Sequence, residues 1–229
     1  HQTLGQIENP VRAELVLIAR RAGLGFIVNT VLNGRNEVIE IVAGDLVAAH
    51  RKGAATARAV FGVRVPEQPK IVLGGSYPAD RDWWQAIKAI NAAAIAVRPG
   101  GEVIMVVPGP EGIAPDHPYV EENGLLSQAE LEEQVRCGAC ADEVAAAACI
   151  AWTVTRSKAR VTIVSNLIGA GQEDRIGADH EDTEEEALQR EMSRKGDRTH
   201  FRLWCTAHMA QRAALTPSPS VPTSSHEFL

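Results

Sequence analysis

Two apolar stretches decide the fold of this chain: Lys70-Ile-Val-Leu-Gly-Gly75 and the uninterrupted run Val103-Ile-Met-Val-Val107. Short, continuous apolar runs of this kind are typical of strands that are buried on both faces of a parallel sheet. Between them, residues 80–97 carry apolar side chains at helical spacing, and Arg98-Pro-Gly-Gly101 turns the chain. The region therefore predicts a strand, a helix and a second, parallel strand.

The same alternation continues downstream. Helical patterns cover Gln128 to about Arg136 and Asp142 to Arg156, and Val161–Val164 reads as a third strand. Thr183-Glu-Glu-Glu186 has the pattern of a capping box that opens a helix to about Arg194, and Phe201–Cys205 reads as a fourth strand. Strands that alternate with helices predict an α/β domain over residues 66–210, with three layers and a mostly parallel, Rossmann-like sheet.

Upstream, residues 1–65 predict a helix, a hairpin and a second helix. Asn9 can cap the first helix, with Pro10 at its first position, and Asp45 can cap the second, which runs to about Val60. Between these helices, Asn33-Gly34 is a strong hairpin signal. This unit is too small for a comfortable core of its own. Two prolines in Val65-Pro-Glu-Gln-Pro69 mark a boundary between the two parts.

Composition and charge narrow the class of protein. The net charge of −6 and an apolar fraction of 45% describe an ordinary acidic globular chain, so nucleic acid is not an expected partner. The longest apolar run, Ala145–Trp152, is far shorter than the ~20 residues of a membrane span. Residues 211–229, rich in Ser and Pro, have the composition of a disordered tail. Because the chain begins with His1, we expect a fragment or a processed product.

Four cysteines do not suggest a disulfide scaffold, and a reducing, cytoplasmic location is expected. Cys137-Gly-Ala-Cys140 has the spacing of a zinc or redox pair, but neither Cys149 nor Cys205 belongs to a second such pair, and structural zinc needs four ligands. Small buried residues of an alanine-rich helix are the ordinary explanation. The glycine pairs match no phosphate-binding fingerprint, which argues against a nucleotide-dependent dehydrogenase.

Polar residues follow the first strand of the α/β domain, where open sheets of this kind bind ligands. We predict that Asp80 caps the helix that follows, with Gln85 and Lys88 three residues apart on one of its faces. A lysine can only donate hydrogen bonds, whereas a glutamine both donates and accepts. Together they suit a small anion with a hydroxyl or carbonyl beside its carboxylate. The ordinary alternative is a solvated surface lysine with a glutamine beside it.

The tryptophans near this position leave two readings open. Trp83 and Trp84 can wall a pocket beside Gln85, but without other information tryptophans at helical spacing belong more often to the core. A role for Trp152 in the site is equally open. A second strand-end loop, Pro108-Gly-Pro-Glu-Gly112, is too irregular for a phosphate loop.

At Tyr77-Pro78-x-Asp80-x4-Gln85-x2-Lys88 the chain resembles, without gaps, the Y-P-x-D-x4-Q-x2-K motif of the nickel-dependent lactate racemase family. Other matching pieces follow in the same order over roughly residues 3–205: Asn9-Pro-Val-Arg12, Phe26-Ile-Val-Asn29, Ala43-Gly-Asp45 and Thr183-x-Glu185-Glu186. The resemblance implies a racemase or epimerase of 2-hydroxy acids. It implies hydride abstraction and return through a nickel-pincer nucleotide, with two histidines as acid and base.

The resemblance also assigns roles within the chain. Gln85 and Lys88 would contact the substrate as the C-terminal domain closes over it, with Tyr77 and Asp80 in support. The catalytic histidines, the cofactor lysine and the nickel ligand of the family are expected upstream of His1. Residues 1–65 would then end the cofactor-bearing N-terminal domain, which is the expected partner, and this chain alone would be inactive. A free-standing carboxylate-binding module remains the alternative.

Overall fold

The computed structural model describes residues 6–63, 65, 67–168, 171–195 and 201–204. The described residues form two compact units that divide between Gln68 and Pro69. The predicted tail, Cys205 and His1 lie outside the described residues.

The first unit is the predicted helix, hairpin and helix: α1 (Pro10–Arg21), β1 (Ile27–Leu32), β2 (Val38–Gly44) and α2 (Ala48–Phe61). Asn9 caps α1 as expected, because its side chain accepts from the amide of Arg12. Asp45 lies before α2, and its carboxylate accepts from the amides of Val47 and Ala48. The hairpin loop is longer than a two-residue Asn-Gly turn, and its left-handed residue is Asn36, at a φ of 62°.

Apolar side chains of the first unit are divided between a small core and the surface. The buried members are Val31, Val42, Leu46, Ala49 and Phe61, where α2 packs on the hairpin. Helix α1 buries none of its residues, and its Val11, Leu15, Leu17 and Ile18 are exposed. The hairpin exposes a second set, Val28, Val38, Ile39 and Ile41, with Phe26 just before it. Single exposed apolar residues are normal on a protein surface, but here α1 and the hairpin each expose several.

The second unit is built around a five-stranded parallel sheet in the order β6-β5-β4-β3-β7. Its strands are β3 (Ile71–Gly75), β4 (Gly101–Val106), β5 (Ala159–Val164), β6 (Asp179–Glu181) and β7 (Phe201–Trp204). The helices between them are α3 (Trp83–Ala96), α4 (Tyr119–Asn123), α5 (Gln128–Arg136), α6 (Glu143–Lys158) and α7 (Glu184–Lys195). The predicted α/β class and the parallel sheet are confirmed.

Strand alternation divides the core into the expected two faces. Ile71, Ile104 and Val164 form one cluster with Ala187 of α7. On the other side of the sheet, α3 and α6 contact each other through Trp83 and Trp152, which meet edge to face with ring centres 5.1 Å apart. Helices therefore cover both faces, as the continuous apolar strands require.

Strand β6 and helix α4 were not predicted from the sequence. Strand β6, Asp179-His-Glu181, is a polar edge strand that pairs only with β5 in the described sheet, so it carries no apolar pattern. Helix α4 has only five residues, which is too few for a periodic signal.

The start of α3 corrects one prediction. The helix begins at Trp83 rather than near Asp80, and its N-cap is Asp82, whose carboxylate accepts from the amide of Gln85. Both aspartates are suitable caps, and the choice is made by tertiary contacts, because the backbone oxygen of Asp80 accepts from the amide of Gly109. Among the described helices, none combines the length and the apolar character needed to cross a membrane.

Candidate functional site

Two loops at the carboxyl edge of the sheet are joined by backbone hydrogen bonds. The loop after β3 contains Ser76, whose amide and hydroxyl both donate to the carbonyl of Val106 at the end of β4. Further on, Gly109 donates to Asp80 and Glu111 donates to Arg81. The two strand-end loops that the sequence presented as separate candidates therefore form one structure.

The joined loops provide hydrogen-bond acceptors for the N-terminus of α3. The first helical amides, of Trp83 and Trp84, donate to the carbonyls of Gly112 and Ile113, and the next is taken by Asp82, which is 1% exposed. A helix N-terminus attracts anions mainly through unpaired amides. Since these amides are occupied, recognition of an anion here depends on side chains.

Gln85 and Lys88 are brought together as predicted. Gln85 is half-buried, Lys88 is exposed one turn further along α3, and the Lys88 ammonium donates to Oε1 of Gln85. An ammonium has no acceptor, so it orients the glutamine with its carbonyl oxygen towards the lysine and its NH2 group away. The pair then presents the amide donors of Gln85 and the remaining ammonium donors of Lys88, which match the oxygens of a carboxylate and an adjacent hydroxyl.

The two supporting residues of the motif differ in their surroundings. Tyr77 precedes Pro78 through a cis peptide bond, and its residue surface is 67% exposed. Asp80 is half-buried and holds the neighbouring loop through its backbone oxygen. Neither side chain lines the cavity next to Gln85, so their supporting role stays a prediction.

A small cavity adjoins the Gln85 side chain. It has a volume of about 100 Å³ and is lined by Arg81, Asp82, Trp84, Gln85, Pro115, Asp116 and His117. The Trp84 ring stacks on the imidazole of His117 at 4.1 Å with an angle of 27° between the planes. Of the three tryptophans in question, Trp84 is thus the one at the site, whereas Trp83 and Trp152 are fully buried in the core.

His117 and Asp142 form a pair that sequence reasoning missed. Nδ1 of His117 lies 2.7 Å from a carboxylate oxygen of Asp142. That hydrogen bond, followed by one from the amide of Ala145, holds the pKa of the Asp142 carboxyl below its usual range. The two residues are 25 positions apart in the sequence, so no local motif predicts that they meet. The sequence indicated only that Asp142 lies at the start of a helix.

Arg81, which lines the cavity, forms ion pairs with several carboxylates. Its guanidinium lies 3.0 Å from Asp82, 3.3 Å from Glu111 and 3.4 Å from Asp116. One cation therefore faces three carboxylates, and Arg81 is not available to neutralise a further anion.

A second cavity, of about 370 Å³, lies at the opposite, amino end of β4 and β5. Its floor includes Glu102, which is fully buried. Burial raises the pKa of this carboxyl to about 7, against a hydrogen bond from the Thr162 hydroxyl and the charge of Arg160 at 3.5 Å. Ligands of open α/β sheets bind at the carboxyl edge, so this cavity is not the expected substrate site.

No metal centre is found in the part of the chain that the structure describes. No group of three or more His, Cys, Asp or Glu side chains there is placed to hold a metal ion. Cys137 is exposed at the end of α5, Cys140 is half-buried, and Cys149 is buried within α6.

Comparison with known proteins shows which enzymes the sequence of this chain is similar to. The lactate racemase of Lactiplantibacillus plantarum is 34% identical over 107 residues, and that of Thermoanaerobacterium thermosaccharolyticum is 29% identical over 105 residues. These stretches cover 46% and 45% of this chain, but only 25% of either enzyme. No protein-family model matches the chain.

Solved structures agree on the fold. The apoprotein of lactate racemase from Thermoanaerobacterium thermosaccharolyticum superposes with a TM-score of 0.76 at 17% identity, over 93% of this chain and 50% of that one. A protein of Thermotoga maritima superposes with a TM-score of 0.61 at 14% identity, over 80% of this chain and 50% of that one. The chain is therefore similar in sequence to two lactate racemases and shares the fold of one of them, and its sequence matches span about a quarter of the length of these curated relatives.

Proposed function

We propose that this chain is the C-terminal portion of a racemase or epimerase that interconverts the stereoisomers of a 2-hydroxy acid. The observation that carries the proposal is the Gln85–Lys88 pair on the helix that follows β3, in which Lys88 donates to the amide oxygen of Gln85 and so leaves hydrogen-bond donors of both side chains for a ligand. Its support is the similarity to two enzymes that are named lactate racemases. The cytoplasmic location inferred from the cysteine content stays a prediction.

In this proposal the pair binds and orients the substrate. The Lys88 ammonium binds the carboxylate, and the Gln85 NH2 group donates to a carboxylate oxygen or to the 2-hydroxyl. Fixing both groups holds the carbon between them in one orientation, which is the requirement for reaction at that carbon. Lys88 is exposed in this chain, so closure over the substrate would remove water from the contact and strengthen it.

The cofactor implied by the family is a nickel-pincer nucleotide, which would supply the hydride acceptor. The described residues do not fit it, because they contain no cluster of potential metal ligands. We therefore assign no step of the reaction to it within this chain. We propose instead that the cofactor and the catalytic histidines belong to the N-terminal domain of the same enzyme.

The first unit supports that arrangement. Helix α1 has no buried residue, and the hairpin exposes Val28 and Ile41, so this unit has an apolar surface that its own elements do not cover. Residues 6–63 would form the end of a larger domain whose remaining part covers this surface. Burial of exposed valine, leucine and isoleucine side chains is worth about 1.5–3 kcal/mol for each one fully buried.

A carboxylate-binding module without catalysis is the second candidate. The same donor pair favours it, since binding a carboxylate needs only Gln85 and Lys88, both present here. The two candidates differ in whether the configuration at C2 ever changes.

The test is to incubate the complete enzyme, with its cofactor installed, with one pure enantiomer of lactate or a larger 2-hydroxy acid. Chiral chromatography then follows the appearance of the other isomer. Interconversion supports the racemase, with this 229-residue chain alone as the inactive control. Saturable binding of the hydroxy acid without interconversion would instead establish the binding module.

A further inference from the structure

The His117 ring is held on several sides. Its Nδ1 contacts Asp142 at 2.7 Å, its face stacks on Trp84 at 4.1 Å, and its backbone amide donates to the carbonyl of Ala114 at 3.0 Å. Asp142 is itself fixed as the N-cap of α6, where it accepts from the amide of Ala145. An imidazole with this support has a defined orientation rather than a rotating one.

The carboxylate also defines which ring nitrogen is available. Because Asp142 accepts the Nδ1 proton, the remaining hydrogen-bonding atom of the ring is Nε2. Within the described residues, no hydrogen bond to that atom is formed. His117 and Gln85 line the same cavity, so a ligand that Gln85 binds within it would contact the imidazole.

The size of the cavity limits what can enter it. Its volume of about 100 Å³ is well below the roughly 300–1,000 Å³ of pockets that enclose drug-sized ligands. A substituent of two or three non-hydrogen atoms fits, such as a hydroxymethyl group.

Charge decides between a hydroxyl and a second carboxylate. Arg81 already faces Asp82, Glu111 and Asp116, and Asp142 lies behind the imidazole. Lys88 is committed to the first carboxylate in the proposed binding mode. A second anion would meet an excess of carboxylates, whereas an uncharged hydroxyl can hydrogen-bond to the imidazole without that repulsion.

We propose that His117 is a specificity-determining residue whose Nε2 hydrogen-bonds a hydroxyl on C3 of the substrate, with Asp142 as the positioning residue that orients it. The preferred substrate is then a short 2-hydroxy acid that continues into a neutral hydroxyl group. This inference rests on the proposed function, since it takes Gln85 and Lys88 to bind the carboxylate end.

The test compares three acids with the complete, cofactor-loaded enzyme. Glycerate (2,3-dihydroxypropanoate) differs from lactate by one hydroxyl, and malate carries a second carboxylate at a similar position. A site that hydrogen-bonds a substrate hydroxyl discriminates strongly against the analogue that lacks it. We expect kcat/KM for glycerate to exceed that for lactate and for malate by at least about tenfold.

Two variants assign the preference to residues. His117→Phe keeps a ring against Trp84 but has no Nε2, so kcat/KM for glycerate should fall at least about tenfold while that for lactate changes less than about threefold. Asp142→Asn keeps an N-cap for α6 but loses the carboxylate. It should lower the ratio of glycerate to lactate efficiency and shift the imidazole ¹⁵N resonances of His117. Glu132→Ala, on the exposed surface of α5, is the control and should leave the ratio unchanged.

The outcomes separate this inference from the function on which it rests. Interconversion of lactate without a preference for glycerate, or an equal loss for both acids in His117→Phe, overturns the role of His117 alone. Should His117→Phe fail to fold, addition of glycerate to the wild-type enzyme must still move the ¹⁵N resonance of Nε2 more than lactate does; equal shifts overturn the inference. Failure to interconvert any of the three acids overturns this inference, and failure with larger 2-hydroxy acids as well overturns the proposed function itself.

Discussion

Replacement of Lys88 by alanine tests the substrate contact most simply. The Lys88 side chain is exposed, and its hydrogen bond in the described structure is to Gln85 on the same helix. Its loss should therefore change the free energy of unfolding by less than about 0.5 kcal/mol. A charge-assisted hydrogen bond that becomes buried on closure is worth about 1.5–3 kcal/mol.

The free energy of this hydrogen bond sets the expected decrease in kcat/KM. At about 1.4 kcal/mol for each factor of ten, kcat/KM of Lys88→Ala in the complete enzyme should fall roughly 10- to 100-fold. The assay is chiral chromatography of initial rates over a range of substrate concentrations. Lys70→Ala is the matched control, because Lys70 lies just before β3 at the opposite end of that strand. An unchanged kcat/KM in Lys88→Ala, or an equal loss in both variants, would refute the proposed contact.

Three further predictions concern the helix, the donor pair and the buried carboxyl. Asp82→Ala removes the N-cap of α3 and should destabilise the protein by about 1 kcal/mol in urea unfolding. Asp80→Ala should cost less than about 0.5 kcal/mol, and a larger loss there would contradict the assignment of the cap. Gln85→Glu places a carboxylate against Lys88 and should raise KM about tenfold or more by competing with the substrate; an unchanged KM would argue against the pair. The pKa of Glu102 is about 7 in the folded chain and ordinarily 4.5, so its protonated form favours folding. Stability from this group is complete below about pH 4.5 and is lost as the pH rises to about 7, by roughly 3 kcal/mol. Glu102→Gln should flatten this part of the stability curve, and a curve parallel to that of the wild type would show that the carboxyl does not titrate there.

The fold was largely predictable because its main signals are local. Continuous apolar runs gave β3 and β4, and the capping residues Asn9 and Thr183 gave the starts of two helices. Strand β6 was not predicted because its residues are polar, and helix α4 was not predicted because it is too short. The conformation of both elements is set by neighbours that are distant in sequence.

Some features of the candidate site were also predictable from local sequence signals, whereas others depend on residues that are distant in sequence. Gln85 and Lys88 are three residues apart on one helix, so spacing alone placed them together. The cap of α3 moved from Asp80 to Asp82 because hydrogen bonds from the loop after β4 fix the chain before the helix. His117 and Asp142 meet only when that loop folds onto α6, which no pattern in the sequence expresses.

In the proposed function, Gln85 and Lys88 bind the carboxylate end of a 2-hydroxy acid. The most direct measurement is a crystal structure of the complete enzyme with such an acid bound. We expect a carboxylate oxygen about 2.7–3.2 Å from Nζ of Lys88, with Nε2 of Gln85 at a similar distance from a carboxylate or 2-hydroxyl oxygen. An acid bound in the closed enzyme with both side chains turned to solvent would contradict it.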